Sequence, residues 1–170
     1  FIFFGVGCRI DASELLLELG KYRFSVRKII QRNFRDSMFR QRTIKKSVHA
    51  IGTGVHSGAK VRMSLRPAKA SSGIQFVRSD LDVSNSVLAC AESVSDTALS
   101  TTISQGSVNI ATVEHLMSAL WGLGIDNLVI ELTAEEVPIM DGSAAPFIDM
   151  INSVGILELD EAKQYIRINR

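Results

Sequence analysis

The chain has 170 residues, of which 46% are hydrophobic and 22% charged, with a formal net charge of +1 at pH 7. This length suits one domain with extensions or two very small domains, and the apolar fraction excludes a chain too polar to form a core. A net charge this small does not indicate a charged partner. The basic residues are unevenly distributed, because residues 21–46 hold ten of the 19 and only one acid, Asp36.

The basic N-terminal part of the chain, residues 1–40, differs from the rest. It opens with the apolar run FIFFGVGC and has no initiator Met, so we expect an incomplete or trimmed chain. The run is far shorter than the ~20 residues of a membrane span, and no basic stretch precedes it as in a signal peptide. Residues 12–19 and 24–39 are predicted to be helices. Two interpretations stay open, a solvated extension or a surface for nucleic acid or anionic membranes.

From residue 41 the pattern indicates a domain of mixed strands and helices. Residues 43–50 mix β-branched and basic residues, as an exposed strand does. Residues 52–58 (GTGVHSG) are predicted to be a turn in which three glycines supply backbone freedom. Residues 60–66 alternate polar and apolar side chains, which is typical of a half-buried strand. Further strands are predicted at residues 74–77, 87–91, 101–104, 127–133 and 164–168.

Two helices are predicted in the second half of the chain. Thr112 is a suitable N-cap for a helix over residues 113–121, which ends near residues 122–124 (GLG). Ser143 is predicted to cap a second helix over residues 144–154. The order of strands and helices predicts an α+β fold, a two-layer sandwich in which two helices pack on one face of a mixed sheet.

Glu114 and His115 are neighbours at the start of the first of these helices. With Thr112 as N-cap they occupy the second and third helical positions, where the helix dipole stabilises a carboxylate. One interpretation is therefore purely structural, an acid and a half-exposed histidine in a first turn. The other is a metal-assisted hydrolase, in which the carboxylate takes a proton from water and the imidazole holds a divalent metal.

The remaining candidate ligands do not complete a metal site by sequence spacing. His49 is predicted to lie on the surface, whereas His56 lies in the glycine turn, where side chains often face a ligand. Cys8 and Cys90 are far apart and are predicted to be reduced thiols of a cytoplasmic protein. Residues 141–143 (DGS) are predicted to be a tight turn before a helix rather than part of an active site.

Five sequence blocks occur together over residues 41–170. They are residues 41–43 (QRT), 52–58 (GTGVHSG), 111–116 (ATVEHL), 122–127 (GLGIDN) and 138–147 (PIMDGSAAPF). In this order and spacing they resemble the bacterial UDP-3-O-acyl-N-acetylglucosamine deacetylase family, the zinc enzyme of the committed step in lipid A synthesis. Two similar α+β halves with the active site between them are the fold that the resemblance implies.

The resemblance also implies roles for individual residues. Glu114 corresponds to the general base that activates a zinc-bound water, and His115 corresponds to the first ligand of Zn²⁺. The substrate, a UDP-linked acylated amino sugar, would contact Val55, His56, Ala98, Leu99 and Ser100.

The family supplies its other zinc ligands from its second half. We therefore expect residues 41–162 to be the first half-domain, residues 163–170 to begin a missing second half, and the chain alone to be inactive. Two alternatives remain: a non-catalytic α+β binding module whose basic extension binds RNA or anionic surfaces, and a partner domain that completes an enzyme in trans.

Overall fold

The structure is a computed structural model that describes residues 39–82 and 86–164. In chain order the strands of these residues are β1 (Arg40–Ile44), β2 (Val48–Thr53), β3 (Lys60–Pro67), β4 (Ile74–Arg78), β5 (Ser86–Leu88), β6 (Val94–Asp96), β7 (Thr102–Gln105), β8 (Val108–Ile110), β9 (Leu128–Leu132) and β10 (Ile156–Ala162). The helices are α1 (Glu114–Leu123) and α2 (Ala145–Val154), with a short 3-10 turn at Ala91–Ser93.

A mixed sheet with the strand order β2-β3-β9-β4-β5 forms the centre of the fold. Strands β4 and β9 run parallel, and the other neighbouring strands are antiparallel. Val61, Met63 and Leu65 of β3 are fully buried. Arg62 and Arg66, which alternate with them, are exposed, so the period-2 pattern of the sequence selects the core face of this strand.

The two helices contribute to the same core as the sheet. Leu116 and Leu120 of α1 and Phe147 and Ile151 of α2 are buried in one apolar cluster with the inward side chains of β3, β4 and β9. Their spacing of four residues places each pair on one helix face. The predicted α+β class, with two helices on a mixed sheet, is therefore confirmed.

Two small sheets complete the described part of the chain. Strand β1 pairs with β10, and β6, β7 and β8 form an antiparallel meander. The single strand predicted over residues 43–50 is wrong, because the chain changes sheets inside it. Ile44 pairs with Ile156, whereas Val48 pairs with Leu65, and the Lys45 amide between them donates to Gly155 O.

Other differences from the predicted elements are local. The strand predicted over residues 87–91 ends at Leu88 and is followed by the 3-10 turn. Strand β6 was not predicted because all of its residues are exposed and show no alternation. Gln164 lies outside any strand, and residues 165–168 of the last predicted strand lie outside the described residues. The helix predicted at residues 12–19 and residues 24–38 of the helix predicted over residues 24–39 also lie outside them, and Phe39 is not helical.

Candidate active site around the start of helix α1

Glu114 and His115 are the first two residues of α1 and are both half-buried. The prediction that Thr112 is the N-cap is wrong: the N-cap is Val113, and its side chain makes no capping bond. Thr112 instead adopts a left-handed backbone with φ 58°. Its hydroxyl donates to Glu136 Oε1 at 2.8 Å, which is a partner 24 positions away in the chain.

The Glu114 carboxylate contacts the segment that precedes β7. Its Oε2 accepts the Thr101 amide at 3.1 Å, and the Val113 amide donates to Thr101 O at 3.3 Å. Residues 98–100 come directly before Thr101: Ala98 and Leu99 are exposed and Ser100 is half-buried. The structure therefore brings this predicted substrate-binding segment to the general-base candidate.

The glycine turn after β2 presents two of the predicted substrate-binding side chains to solvent. Val55 is 53% exposed, and His56 is also exposed. The turn is closed by its own backbone, because the Gly54 amide donates to Ala59 O and the Gly58 amide to Gly54 O, both at 3.0 Å.

The predicted reason for the three glycines holds for one of them. Gly58 has φ 66°, where a side chain is strained. At Gly52 a Cβ would lie 2.8 Å from Pro138 Cβ, and at Gly54 it would overlap Glu136 Oε2. These two glycines are required for close approach of another segment rather than for backbone freedom.

Glu136 is the buried acid that joins these pieces, and the sequence did not indicate it. The residue is 2% exposed. It accepts the Ser57 amide at 2.9 Å, the Ser57 hydroxyl at 2.7 Å and the His56 amide at 3.1 Å, besides the Thr112 hydroxyl. We call Glu136, Ser57, Thr112 and the His56 amide the Glu136 cluster. The available signal was an acid next to the apolar run at residues 137–140 (VPIM), since buried acids are rare unless bonded.

The Glu136 cluster keeps its carboxylate ionised. Burial by itself would raise the pKa of Glu136. The hydrogen bonds from the Ser57 hydroxyl and amide, the His56 amide and the Thr112 hydroxyl outweigh burial and lower the pKa from 4.5 to about 2. At neutral pH the cluster therefore contains a fixed negative charge beside the start of α1.

The donor set does not form a zinc site by itself. Among residues 39–82 and 86–164, no group of three or more His, Cys, Asp or Glu side chains could hold a metal ion, whereas a catalytic zinc usually has three protein ligands. His49 is exposed on β2, as predicted, and its Nδ1 lies 2.8 Å from Ser64 Oγ. His115 is thus an isolated ligand candidate, and no chemical step in this chain is assigned to zinc.

Asp141 has the structural role that the sequence predicted. Its Oδ1 accepts both the Ser143 hydroxyl at 2.8 Å and the Ser143 amide at 2.9 Å, and these bonds lower the pKa of its carboxyl group. Ser143 Oγ in turn accepts the Ala145 amide at the start of α2. The N-cap position belongs to Ala144 rather than Ser143, although the Ser143 hydroxyl still serves the first turn.

In the described part of the chain, neither helix is both long and apolar enough to cross a bilayer.

Comparison with known proteins shows the family to which this sequence belongs. Residues 41–170 match the family described as LpxC, UDP-3-O-acyl N-acetylglycosamine deacetylase. Proteins named UDP-3-O-acyl-N-acetylglucosamine deacetylase are similar over 133 residues, with 55% identity in Marinobacter nauticus, 56% in Chromohalobacter salexigens and 55% in Hahella chejuensis.

The matched region is 78% of this chain and 44% of each of these relatives. The chain thus spans less than half the length of the curated relatives it matches. The family match covers the glycine turn, the segment before β7, the start of α1 and Glu136, which are all the parts of the site described above. The chain belongs to the LpxC family of UDP-3-O-acyl-N-acetylglucosamine deacetylases.

Proposed function

We propose that this chain supplies one part of the active site of a zinc-dependent deacetylase. The reaction is hydrolysis of the N-acetyl group of UDP-3-O-acyl-N-acetylglucosamine, the committed step of lipid A synthesis, in the cytoplasm. The observation that carries the proposal is the position of Glu114: a half-buried carboxylate at a helix start, bonded to Thr101 next to the predicted substrate-binding segment.

Glu114 is assigned the role of general base. Its carboxylate takes a proton from water, and the water oxygen attacks the carbonyl carbon of the acetamide. The carbon–nitrogen bond then breaks, the nitrogen receives a proton, and acetate and the free amine leave. We assign Val55, His56, Ala98, Leu99 and Ser100 to substrate binding. The segment before β7 is bonded to Glu114 through Thr101, and the glycine turn is connected through Glu136 to Thr112, which precedes α1.

His115 is assigned as one ligand of the zinc ion. The described residues supply no further set of ligands, so we propose that the other ligands come from the portion of the relatives that this chain does not match. The 170-residue chain alone is then expected to show no turnover with added zinc. Turnover by the chain alone that is lost in Glu114→Ala would refute this.

The decisive experiment uses a hybrid enzyme, in which residues 41–170 of this chain are joined to the remaining part of one of the related deacetylases. We expect zinc-dependent release of acetate from the UDP-linked substrate, and a loss on the order of a hundredfold or more in Glu114→Gln. Glu135→Gln is the matched control, because Glu135 is exposed and its replacement is expected to leave the rate unchanged. A folded hybrid without activity would overturn the proposal.

The family match does not favour the alternative, a non-catalytic module whose basic extension binds RNA or anionic surfaces. Residues 1–38 of that extension lie outside the described residues.

A further inference from the structure

We propose that Glu136 is a positioning residue, which fastens the glycine turn to the backbone that precedes Glu114 and His115. The cluster around it joins two segments that the proposed function assigns to substrate binding and to catalysis. The consequence for turnover rests on the proposed function, whereas the positioning itself does not.

Backbone hydrogen bonds hold the residues on both sides of Glu136, independently of its side chain. The Ala111 amide donates to Glu135 O at 2.8 Å, and the Val137 amide donates to Ala111 O at 3.1 Å. The Ile139 amide donates to Thr53 O at 3.0 Å. The segment therefore lies between the end of β2 and the residue before Thr112, and its carboxylate is held where both can be reached.

The partners of Glu136 specify a carboxylate rather than an amide. The His56 and Ser57 amides can only donate, and they contact both carboxylate oxygens. A glutamine has one acceptor oxygen and one donor nitrogen. Whichever way it is oriented, its NH₂ group would face at least one backbone N–H, so Glu136→Gln keeps the shape of the side chain but loses part of the connection.

The backbone is constrained at two positions of this cluster, by strain at Thr112 and by close approach at Gly54. Thr112 is β-branched and has φ 58°, a conformation that costs about 1–3 kcal/mol and persists only where the surroundings impose it. Gly54 approaches the carboxylate so closely that a Cβ would overlap both Glu136 Oε2 and Ser57 Oγ. The hydroxyl bond from Thr112 to Glu136 holds the strained residue, and α1 starts two residues later.

A second buried polar group provides a matched control. Gln41 is 1% exposed and also makes four hydrogen bonds, to the Ser71 amide and hydroxyl, to Asn127 Nδ2 and to Ala162 O. Together with the Gly73 amide, which donates to Asn127 Oδ1, these residues form the Gln41 cluster. None of them belongs to the predicted site, so Gln41→Ala removes a comparable number of bonds without touching it.

Amide hydrogen exchange in the 170-residue chain tests the positioning directly. The His56 and Ser57 amides bond to Glu136, whereas the Thr101 amide bonds to Glu114. A purely local role of Glu136 predicts that Glu136→Gln speeds exchange at His56 and Ser57 alone. A positioning role predicts that Thr101 exchange also rises, by about tenfold relative to Ile130 in the core of β9. Unchanged exchange at Thr101 would overturn the proposal.

Kinetics of the hybrid enzyme provide the functional readout. Well below its melting temperature, folded Glu136→Gln is expected to lose on the order of tenfold in kcat, since small misplacements of reacting groups are costly. Gln41→Ala is expected to lower the melting temperature with kcat unchanged. Equal kcat in native and Glu136→Gln hybrids would refute positioning for catalysis.

Two further variants keep the test decisive if Glu136→Gln does not fold. Ser57→Ala and Thr112→Val each remove a single hydroxyl from the cluster, and both are expected to raise Thr101 exchange in the same direction. If the native hybrid is inactive while Thr101 exchange responds, the proposed function fails and the positioning role stands.

Discussion

The Glu136 cluster and the Gln41 cluster show two ways in which this fold buries polar groups. Both have central side chains that are almost fully buried, and no buried side-chain nitrogen or oxygen in the described residues lacks a partner. Gln41 both donates and accepts within its cluster. Glu136 only accepts, and it carries a charge. The neutral cluster joins parts of the scaffold, whereas the charged one joins parts of the candidate site.

The difference has an energetic basis. A buried carboxylate is strongly unfavourable unless several donors surround it, so it is a costly way to connect two loops. Bonds to an ionised acceptor are also roughly twice as strong as neutral ones. Their direction fixes the donors in place. We therefore expect the charged cluster to hold its segments more rigidly than the amide cluster.

The largest expected difference between the two clusters is in stability after truncation. Glu136→Ala leaves the His56 and Ser57 amides and the Thr112 hydroxyl without their charged acceptor, and we expect the free energy of unfolding to fall by roughly 3 kcal/mol. Gln41→Ala breaks only neutral bonds, each of which contributes less than a bond to a charged acceptor, so a loss of roughly 2 kcal/mol is expected. Urea denaturation of the 170-residue chain measures both. A smaller loss for Glu136→Ala than for Gln41→Ala would contradict the comparison.

The two clusters are also expected to differ in how their contribution to stability depends on pH. The pKa of Glu136 is lowered from 4.5 to about 2 in the folded chain. The ionised form therefore stabilises the fold above pH 4.5, and this contribution is lost as the pH falls towards 2. Between pH 6 and pH 3 the loss amounts to about 2 kcal/mol.

Urea titrations at the two pH values check this prediction. Glu136→Gln is expected to lose about 2 kcal/mol less than the native chain over this interval. Gln41→Ala is expected to follow the native chain, because its cluster has no titrating group. A Glu136→Gln variant with the native pH dependence would show that Glu136 is not the source of it.

The parts of the structure that depend on local patterns were predictable from the sequence. Strand β3 follows from alternation, β9 from its β-branched run, and α2 from its apolar face with Gly155 at its end. The candidate residues Glu114 and His115 were found from a helix start and from resemblance. The strands and the helix rest on residues close together in the chain, whereas the resemblance rests on five blocks spread over residues 41–147.

The connections between those parts were not predictable, because they depend on residues far apart. The bond between Glu136 and the His56 amide spans 80 positions, and the one between Glu136 and Thr112 spans 24. The N-cap prediction is wrong because Thr112 has φ 58° rather than the extended backbone typical of an N-cap, and its hydroxyl contacts Glu136 instead of the first turn. Contact with Pro138 and Glu136 likewise explains Gly52 and Gly54, which local turn chemistry had assigned to backbone freedom.

Gly54 and Gly58 lie in the same turn, but only Gly54 contacts the Glu136 cluster. Gly54→Ala would place its methyl group against Glu136, whereas Gly58→Ala would meet open space and only the strain of φ 66°. We expect a loss of about 2 kcal/mol for Gly54→Ala and about 1 kcal/mol for Gly58→Ala. Thermal melting of the two variants gives the order. A larger loss at Gly58 would mean that turn conformation, rather than contact with the carboxylate, limits this segment.

The smallest effect is expected when Thr112 keeps its hydroxyl and loses its methyl group. Thr112→Ser loses the burial of one methyl group, which costs roughly 0.8 kcal/mol. It also relieves the strain of a β-branched residue at φ 58°. Because the two effects oppose each other, we expect the free energy of unfolding to change by less than about 0.5 kcal/mol. Thr112→Val has nearly the shape of threonine but cannot donate to Glu136, and a loss of about 1.5 kcal/mol is expected. Equal stabilities of the two variants in urea would show that side-chain shape holds Thr112. The predicted order would show instead that the hydrogen bond to the buried carboxylate holds the backbone in front of Glu114.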